Sequence, residues 1–228
     1  EKSLAIKRIK GLGGAGFYKA YLGEGNAIYV NDELYSETDF ITFVSNIPNY
    51  LIMEYLESAG LPAAIYPKTS NSIRVIYGKH EGKLYNIGNF IKFGNAGSGY
   101  VDNLTGGGIT CPVDGRGVFS FGYKKEKGVM VQINEHPDTK VPLGGQLECW
   151  EEIIQMAMSV MERLPQLSYC GFDFVISGKG IKLLEINDMS GLITVQKHRP
   201  LLQNREDNFY LKRIEKKYGC KQSKRKGN

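Results

Sequence analysis

Apolar positions along this chain come in short alternating runs that break on glycine, asparagine or charged residues. Residues 4–9 (LAIKRI), 17–22 (FYKAYL) and 27–30 (AIYV) have the period-two and aromatic character of strands. Gly23-Glu-Gly-Asn26 separates the last two as a turn. Ser36-Glu-Thr-Asp39 has the form of a helix N-cap leading into FITFVSNI. Residues 51–55 (LIMEY) form an apolar strand, and 72–77 (SIRVIY) is expected to pair with 84–93 (LYNIGNFIKF) across His80-Glu-Gly-Lys83. Residues 94–117 are rich in glycine and read as loop. The clearest helical period covers 148–163. There Trp150, Ile153, Ile154, Ala157, Val160 and Met161 share one face, and Pro165 follows the end. Two more strands, 170–176 (CGFDFVI) and 181–186 (IKLLEI), flank the hairpin turn Ser-Gly-Lys-Gly, and a last helix is expected over 205–217. Mostly antiparallel strands with segregated helices indicate an α+β fold.

Composition narrows the class. With 228 residues, 42% hydrophobic and 23% charged, the chain can bury a substantial core as one large or two small domains. No apolar run approaches the ~20 residues of a transmembrane helix. Glu1-Lys2-Ser3-Leu4 has no signal-peptide character, and the abrupt start on a strand suggests a piece of a longer protein. Cys111, Cys149, Cys170 and Cys220 are scattered without a zinc spacing, which predicts reduced thiols and a cytoplasmic location. The net charge of +5 collects in a basic tail from Lys212 to Lys226. The remaining body is near or below neutral, so nucleic acid is not the expected partner.

Two features carry chemistry. Gly11, Gly13 and Gly16 match a dinucleotide-loop spacing, with Gly14 between them, but a hairpin follows where a Rossmann site needs a helix. Strand–glycine loop–strand better suits a flap over ATP phosphates, with Lys7 on the incoming strand as a point charge. The second feature is the 170–186 hairpin. Glu185 and Asn187 lie two apart on one strand, and the turn brings Asp173 alongside, so three oxygen-bearing side chains share a face. Such a set suits a hard cation, although a polar outer face of an edge hairpin gives the same pattern. Phe172, Phe174, Leu184 and Ile186 are expected on the core side.

These elements, taken in order with Leu51-Ile-Met-Glu54-Tyr55-Leu56 and Ser70-Asn71-Ser-Ile-Arg74-Val75, resemble the ATP-grasp superfamily. Val101-Asp-Asn103, Gly106-Gly-Gly108, Pro112-Val-Asp114, His136-Pro-Asp138 and Gln196 resemble its sugar-transfer-associated branch, related to α-L-glutamate ligases. The resemblance implies two α+β lobes clasping ATP, a smaller one at 1–55 and a larger one at 56–228. It implies ATP and one or two Mg²⁺ as cofactors, with Asp173, Glu185 and Asn187 as metal ligands. Lys7, Gly11, Gly13, Gly14 and Gly16 would hold the phosphates, and Glu54, Tyr55 and Leu56 would receive adenine and ribose. Arg74 sits where a family arginine stabilises the transferring phosphoryl group, with Asn71 beside it. His136 is the candidate general base for an incoming amine. The implied reaction joins a small-molecule carboxylate to an amine through an acylphosphate, with a sugar or peptide acceptor in cell-surface polysaccharide synthesis. A small-molecule kinase and a non-catalytic nucleotide-binding module are the alternatives. Two departures weigh on this. Arg8 stands where the family usually has proline, and the first of its two ATP lysines usually lies upstream of this segment.

Overall fold

The structure is a computed structural model that describes residues 3–10, 14–202 and 208–218, apart from the side chains of residues 105, 215, 217 and 218. The first sheet is built from β1 (Ser3–Arg8), β2 (Tyr18–Leu22), β3 (Ile28–Val30), β4 (Glu33–Tyr35) and β5 (Tyr50–Glu54), in the order β4-β3-β2-β1-β5. Every pairing in it is antiparallel. Helix α1 (Glu37–Asn46) covers it, and its N-cap Ser36 accepts the Asp39 backbone N–H at 3.1 Å, as the sequence predicts. The core here is thin. Ile6, Ala20 and Val30 are buried, and around them pack half-buried rings such as Tyr18, Phe40 and Phe43.

After the short helix α2 (Gly60–Ile65), the chain builds a larger antiparallel sheet. Its hairpin β6 (Ile73–His80) and β7 (Lys83–Phe93) is followed by β8 (Ile109–Val113), the short β9 (Val118–Phe119), β10 (Gly122–Glu126) and β11 (Val129–Ile133). Then come β12 (Gly145–Gln146), α3 (Trp150–Arg163), β13 (Tyr169–Ser177) and β14 (Gly180–Asn187). The seven-stranded order is β11-β10-β8-β7-β6-β13-β14, and β9 pairs separately with β12. The glycine-rich stretch predicted as loop therefore contributes β8 as well. Helix α3 buries Trp150, Ile153, Ala157 and Met161 against one face of the sheet. There they join Phe93, Phe172, Phe174 and Ile73 in the main core. Gly117 is required at φ 80°, because a Cβ there would stand 2.5 Å from the Trp150 ring. The opposite face carries a smaller apolar cluster under α4 (Ile193–His198) and α5 (Phe209–Tyr218), beside the polar residues described next.

One expectation about the hairpin is corrected. The β13–β14 register slips between Asp173 and Phe174, so Asp173 faces Glu185 while Phe174 faces Leu183. This bulge reverses the side-chain alternation. Leu183, rather than Leu184, packs on the main core, and Ile186 on the edge strand stays 41% exposed.

Candidate functional site

Four adjacent strands of the large sheet point charged groups to one face. Register pairs Arg74 on β6 with Asp173 on β13, and Asp173 with Glu185 on the edge strand β14. The Arg74 guanidinium donates to both Asp173 oxygens, through Nε at 2.5 Å and Nη2 at 2.6 Å, and its Nη1 reaches Ser190 Oγ at 2.9 Å. Gly171 makes room for this arrangement, since a Cβ there would meet Ser190 Oγ at 2.3 Å. Lys92 on β7 approaches Asp173 from the other side at 3.4 Å and Asp102 at 3.8 Å. Asp102 in turn accepts the Ser72 backbone N–H at 2.7 Å and its hydroxyl at 2.5 Å. Burial pushes the Asp173 carboxyl up, but Lys92 and Arg74 outweigh it and hold it below the usual carboxylate range. At the open end, Glu185 is half exposed and its carboxylate lies 4.0 Å from the Lys7 ammonium. Lys7 belongs to β1, so this pair spans the gap between the two sheets.

Gly14 meets the loop that joins β7 to β8. Gly14 (φ 77°) lies so close to Val101 that a Cβ would come within 2.9 Å of its side chain. Gly16 (φ 73°) is crowded by Tyr50 and Arg8. Gly11 and Gly13 lie outside the described residues. The linking segment is anchored at both ends. Glu54 pairs with Lys179 of the β13–β14 turn, and Tyr55 donates from its backbone to Ser3 and from its hydroxyl to the Lys68 carbonyl at 3.3 Å. Burial raises the Tyr55 hydroxyl to about 12. The Leu56 carbonyl accepts the Ser70 hydroxyl at 2.5 Å.

Two of the sequence candidates are not in this site. Asn71 is fully buried, and its amide is used up in tying the backbone together. It donates to the Pro62 and Tyr66 carbonyls and accepts from the Thr69 hydroxyl. His136 is also fully buried. Its Nε2 meets the Gly94 carbonyl at 2.8 Å, its Nδ1 faces the Asp138 and Thr139 amides, and its ring stacks on Tyr66 at 4.5 Å. Burial lowers its pKa, and both nitrogens are engaged, so the ring has no position left for a substrate proton. The His136-Pro-Asp138-Thr stretch is a staple, with Asp138 accepting the Ala96 N–H and Thr139 donating to the Ile65 carbonyl.

The sequence reading missed Lys92, Asp102 and Ser190. A lysine flanked by Ile91 and Phe93 in a strand was the available signal, because its alternation places it opposite the core. The reading also missed Lys19 on β2. Its ammonium sits 4.4 Å from the Tyr55 ring centre, 5.1 Å from Tyr100 and 5.4 Å from Tyr21, with Glu57 at 3.3 Å. The Tyr100 hydroxyl also reaches Asp32 across the gap between the sheets.

Residues 1–209 match the family described as sugar-transfer associated ATP-grasp. The chain belongs to that family. No curated protein sequence matches it. Among solved structures it is similar to D-alanyl-alanine synthetase A from Vibrio cholerae, with a TM-score of 0.50 and 14% identity over 94% of this chain and 52% of that one. The ADP complex of N5-carboxyaminoimidazole ribonucleotide synthetase gives 0.45 and 10% identity over 94% of this chain and 40% of that one. The ATP-grasp chain described here thus spans about half the length of the first of these. At such identities the first likeness shows a shared fold, in accord with the α+β, mainly antiparallel architecture.

The donor chemistry fits a family cation. Among the described residues no group of three or more His, Cys, Asp or Glu could hold a metal alone. Magnesium, however, commonly uses one or two carboxylates and completes its shell with water and substrate phosphates. Asp173 and Glu185 are the two carboxylates on this face that could serve in that way. Asn187, on the same face, has a buried amide nitrogen with no hydrogen-bond partner, a donor position that suits a phosphate oxygen and leaves its amide oxygen as the group a cation would use. Asp173 keeps lone pairs beyond those that Arg74 and Lys92 occupy.

Proposed function

We propose that this chain is the nucleotide-binding core of an ATP- and Mg²⁺-dependent carboxylate–amine ligase. The observation that carries the reading is the line of charges from Lys92 through Arg74, Asp173 and Glu185 to Lys7. It crosses from one sheet to the other and offers cations and carboxylates suited to nucleotide phosphates and their metal. Residues 1–55 and 56–228 then act as two lobes. Lys7 and the 11–16 loop bind phosphate oxygens, and Glu54, Tyr55 and Leu56 receive the adenosine end. Asp173, Glu185 and Asn187 hold Mg²⁺, which supplies charge neutralisation for the phosphates. Arg74 stays on Asp173 and presents its remaining edge to the γ-phosphoryl group, where a planar cation matches spreading negative charge.

A substrate carboxylate oxygen attacks the γ-phosphorus, and the bond to the β-phosphate oxygen breaks, releasing ADP and forming an acylphosphate. An amine nitrogen then attacks the acyl carbon. Phosphate leaves, the amine loses a proton, and an amide remains. With His136 and Asn71 committed to the backbone, Lys7, Arg74, Asp173 and Glu185 act by positioning and charge. An open groove of about 920 Å³ runs past Ser190, lined by Tyr169, Met189, Leu192, Phe209, Tyr210 and Arg213. Its size and mixed lining suit a ring-bearing acid or its amine acceptor. The family's association with sugar transfer supports a sugar acid joined to an amino acid in cell-surface polysaccharide synthesis.

The test is incubation with ATP, Mg²⁺, hydroxylamine and a panel of uronic and amino acids. A ligase forms a hydroxamate and ADP with its own acid. A stable phosphoester without hydroxamate would instead make the chain a kinase. Calorimetry of ATP binding with Mg²⁺ checks the metal assignment independently, and an unchanged Mg²⁺-dependence in Glu185→Ala refutes it.

A further inference from the structure

Lys92 is placed in a way that the ligase reading does not require. On β7 its neighbours Ile91 and Phe93 turn into the main core, which sends its side chain to the charged face. The ammonium is buried, with only 8% of the side chain exposed, between Asp173 at 3.4 Å and Asp102 at 3.8 Å. Asp173 does not need it as a partner, because Arg74 already meets both carboxylate oxygens. The second cation is balanced by Asp102, so Lys92 is shared between two carboxylates, only one of which has another cation. Asp102 shows what holds it in place. This carboxylate is fixed by two hydrogen bonds from Ser72 and sits in the 94–108 loop, next to Val101, which touches Gly14.

We propose that Lys92 is a positioning residue that occupies the cation side of Asp173 until a divalent ion arrives, and that Asp102 sets how strongly it competes. The inference rests on Asp173 being a metal ligand, as proposed above. In the ion-free site, Lys92 stands as a second cation at the Asp173 Oδ2 that also accepts from Arg74 Nη2. When a divalent cation takes the Asp173 oxygen that faces Lys92, the ammonium falls back on Asp102 and stays paired. Removing Lys92 deletes a positive charge that repels the incoming ion. Removing the Asp102 charge has the opposite effect, because Lys92 then leans fully on Asp173.

The experiment measures Mn²⁺ affinity by electron paramagnetic resonance, in the presence of a non-hydrolysable ATP analogue, for wild type, Lys92→Met, Lys92→Arg and Asp102→Asn. Lys92→Met should bind Mn²⁺ more tightly, by roughly fivefold or more at the effective dielectric of a partly buried site, while turnover falls. Asp102→Asn should bind it more weakly, since the amide oxygen still accepts from Ser72 but no longer neutralises Lys92. Lys92→Arg should return toward wild type. Circular dichroism melts of each variant confirm that the fold persists at the working temperature. A merely structural Lys92–Asp102 pair would shift both variants in the same direction, and that result, or equal Mn²⁺ affinities throughout, overturns the proposal while leaving the ligase reading intact. Absence of Mn²⁺ binding in wild type overturns the metal site itself, and this role with it.

Discussion

The two sheets are built to different standards. The large one closes on fully buried side chains such as Ile73, Phe93, Phe172 and Phe174, with α3 sealing one face. The small one buries Ile6, Ala20 and Val30 and otherwise relies on half-buried aromatic rings under an α1 that has no buried residue of its own. Densely packed interiors transmit strain and resist deformation, whereas a sparse core opens at lower free energy. The functional face is accordingly asymmetric. Its precise elements, Arg74, Lys92 and Asp173, stand on the rigid sheet, and the small sheet contributes Lys7.

Truncation tests this contrast most severely. Phe172→Ala leaves a large cavity in the main core and should cost about 3–5 kcal/mol in denaturant unfolding. Ile6→Ala in the small sheet should cost about 2–3 kcal/mol, because loosely packed neighbours can close in. If the smaller sheet is a separate unit of stability, hydrogen exchange in Ile6→Ala accelerates across residues 3–54 and stays slow in β6 and β13. Uniform acceleration would show that the two sheets melt as one.

Acid should act mainly on the large sheet. Burial holds the His198 imidazole down to about 4, where it stacks on Tyr123 with its Nε2 unpartnered. The unfolded chain therefore binds a proton near pH 6.5 that the native state refuses until about pH 4. Stability is retained above pH 6.5 and lost as pH falls from there to about 4, by about 2–3 kcal/mol for this group. His198→Gln should remove that component from the pH dependence measured by urea unfolding. The smallest effect is expected at the helix cap of the thin sheet. Ser36→Ala should lower stability by about 1 kcal/mol, and a loss visible only in exchange of α1 and its sheet would again separate the two units.

Much of this asymmetry was legible before folding. Alternation in SIRVIY and CGFDFVI, the Ser36 cap and the face of α3 are local patterns, and the structure follows them. The exceptions have physical causes. The bulge after Asp173 changed the parity of β14, and no alternation rule reveals where a strand slips. The Lys92–Asp102 pairing joins residues ten apart through a third element, so neither sequence neighbour hints at it. Asn71 and His136 were chosen for the chemistry their side chains can perform, yet what such groups do is decided by the carbonyls that enclose them. The contrast with Arg74 is instructive, because its pairing with a carboxylate and its place in the charged face turned out to be the same fact.

The contact between Tyr100 and Asp32, together with the caged Lys19, has a kinetic consequence on the proposed reading. Both tie the small sheet to the loop that carries Tyr100. If a nucleotide enters between the sheets only while these contacts are parted, its apparent affinity is its intrinsic affinity scaled by the fraction of molecules that stand open. The same fastening retains a ligand once it is inside. Residence time and affinity are thereby governed by different parts of the protein. The charged floor would then set how well the nucleotide is held, and the tyrosines around Lys19 how often it comes and goes.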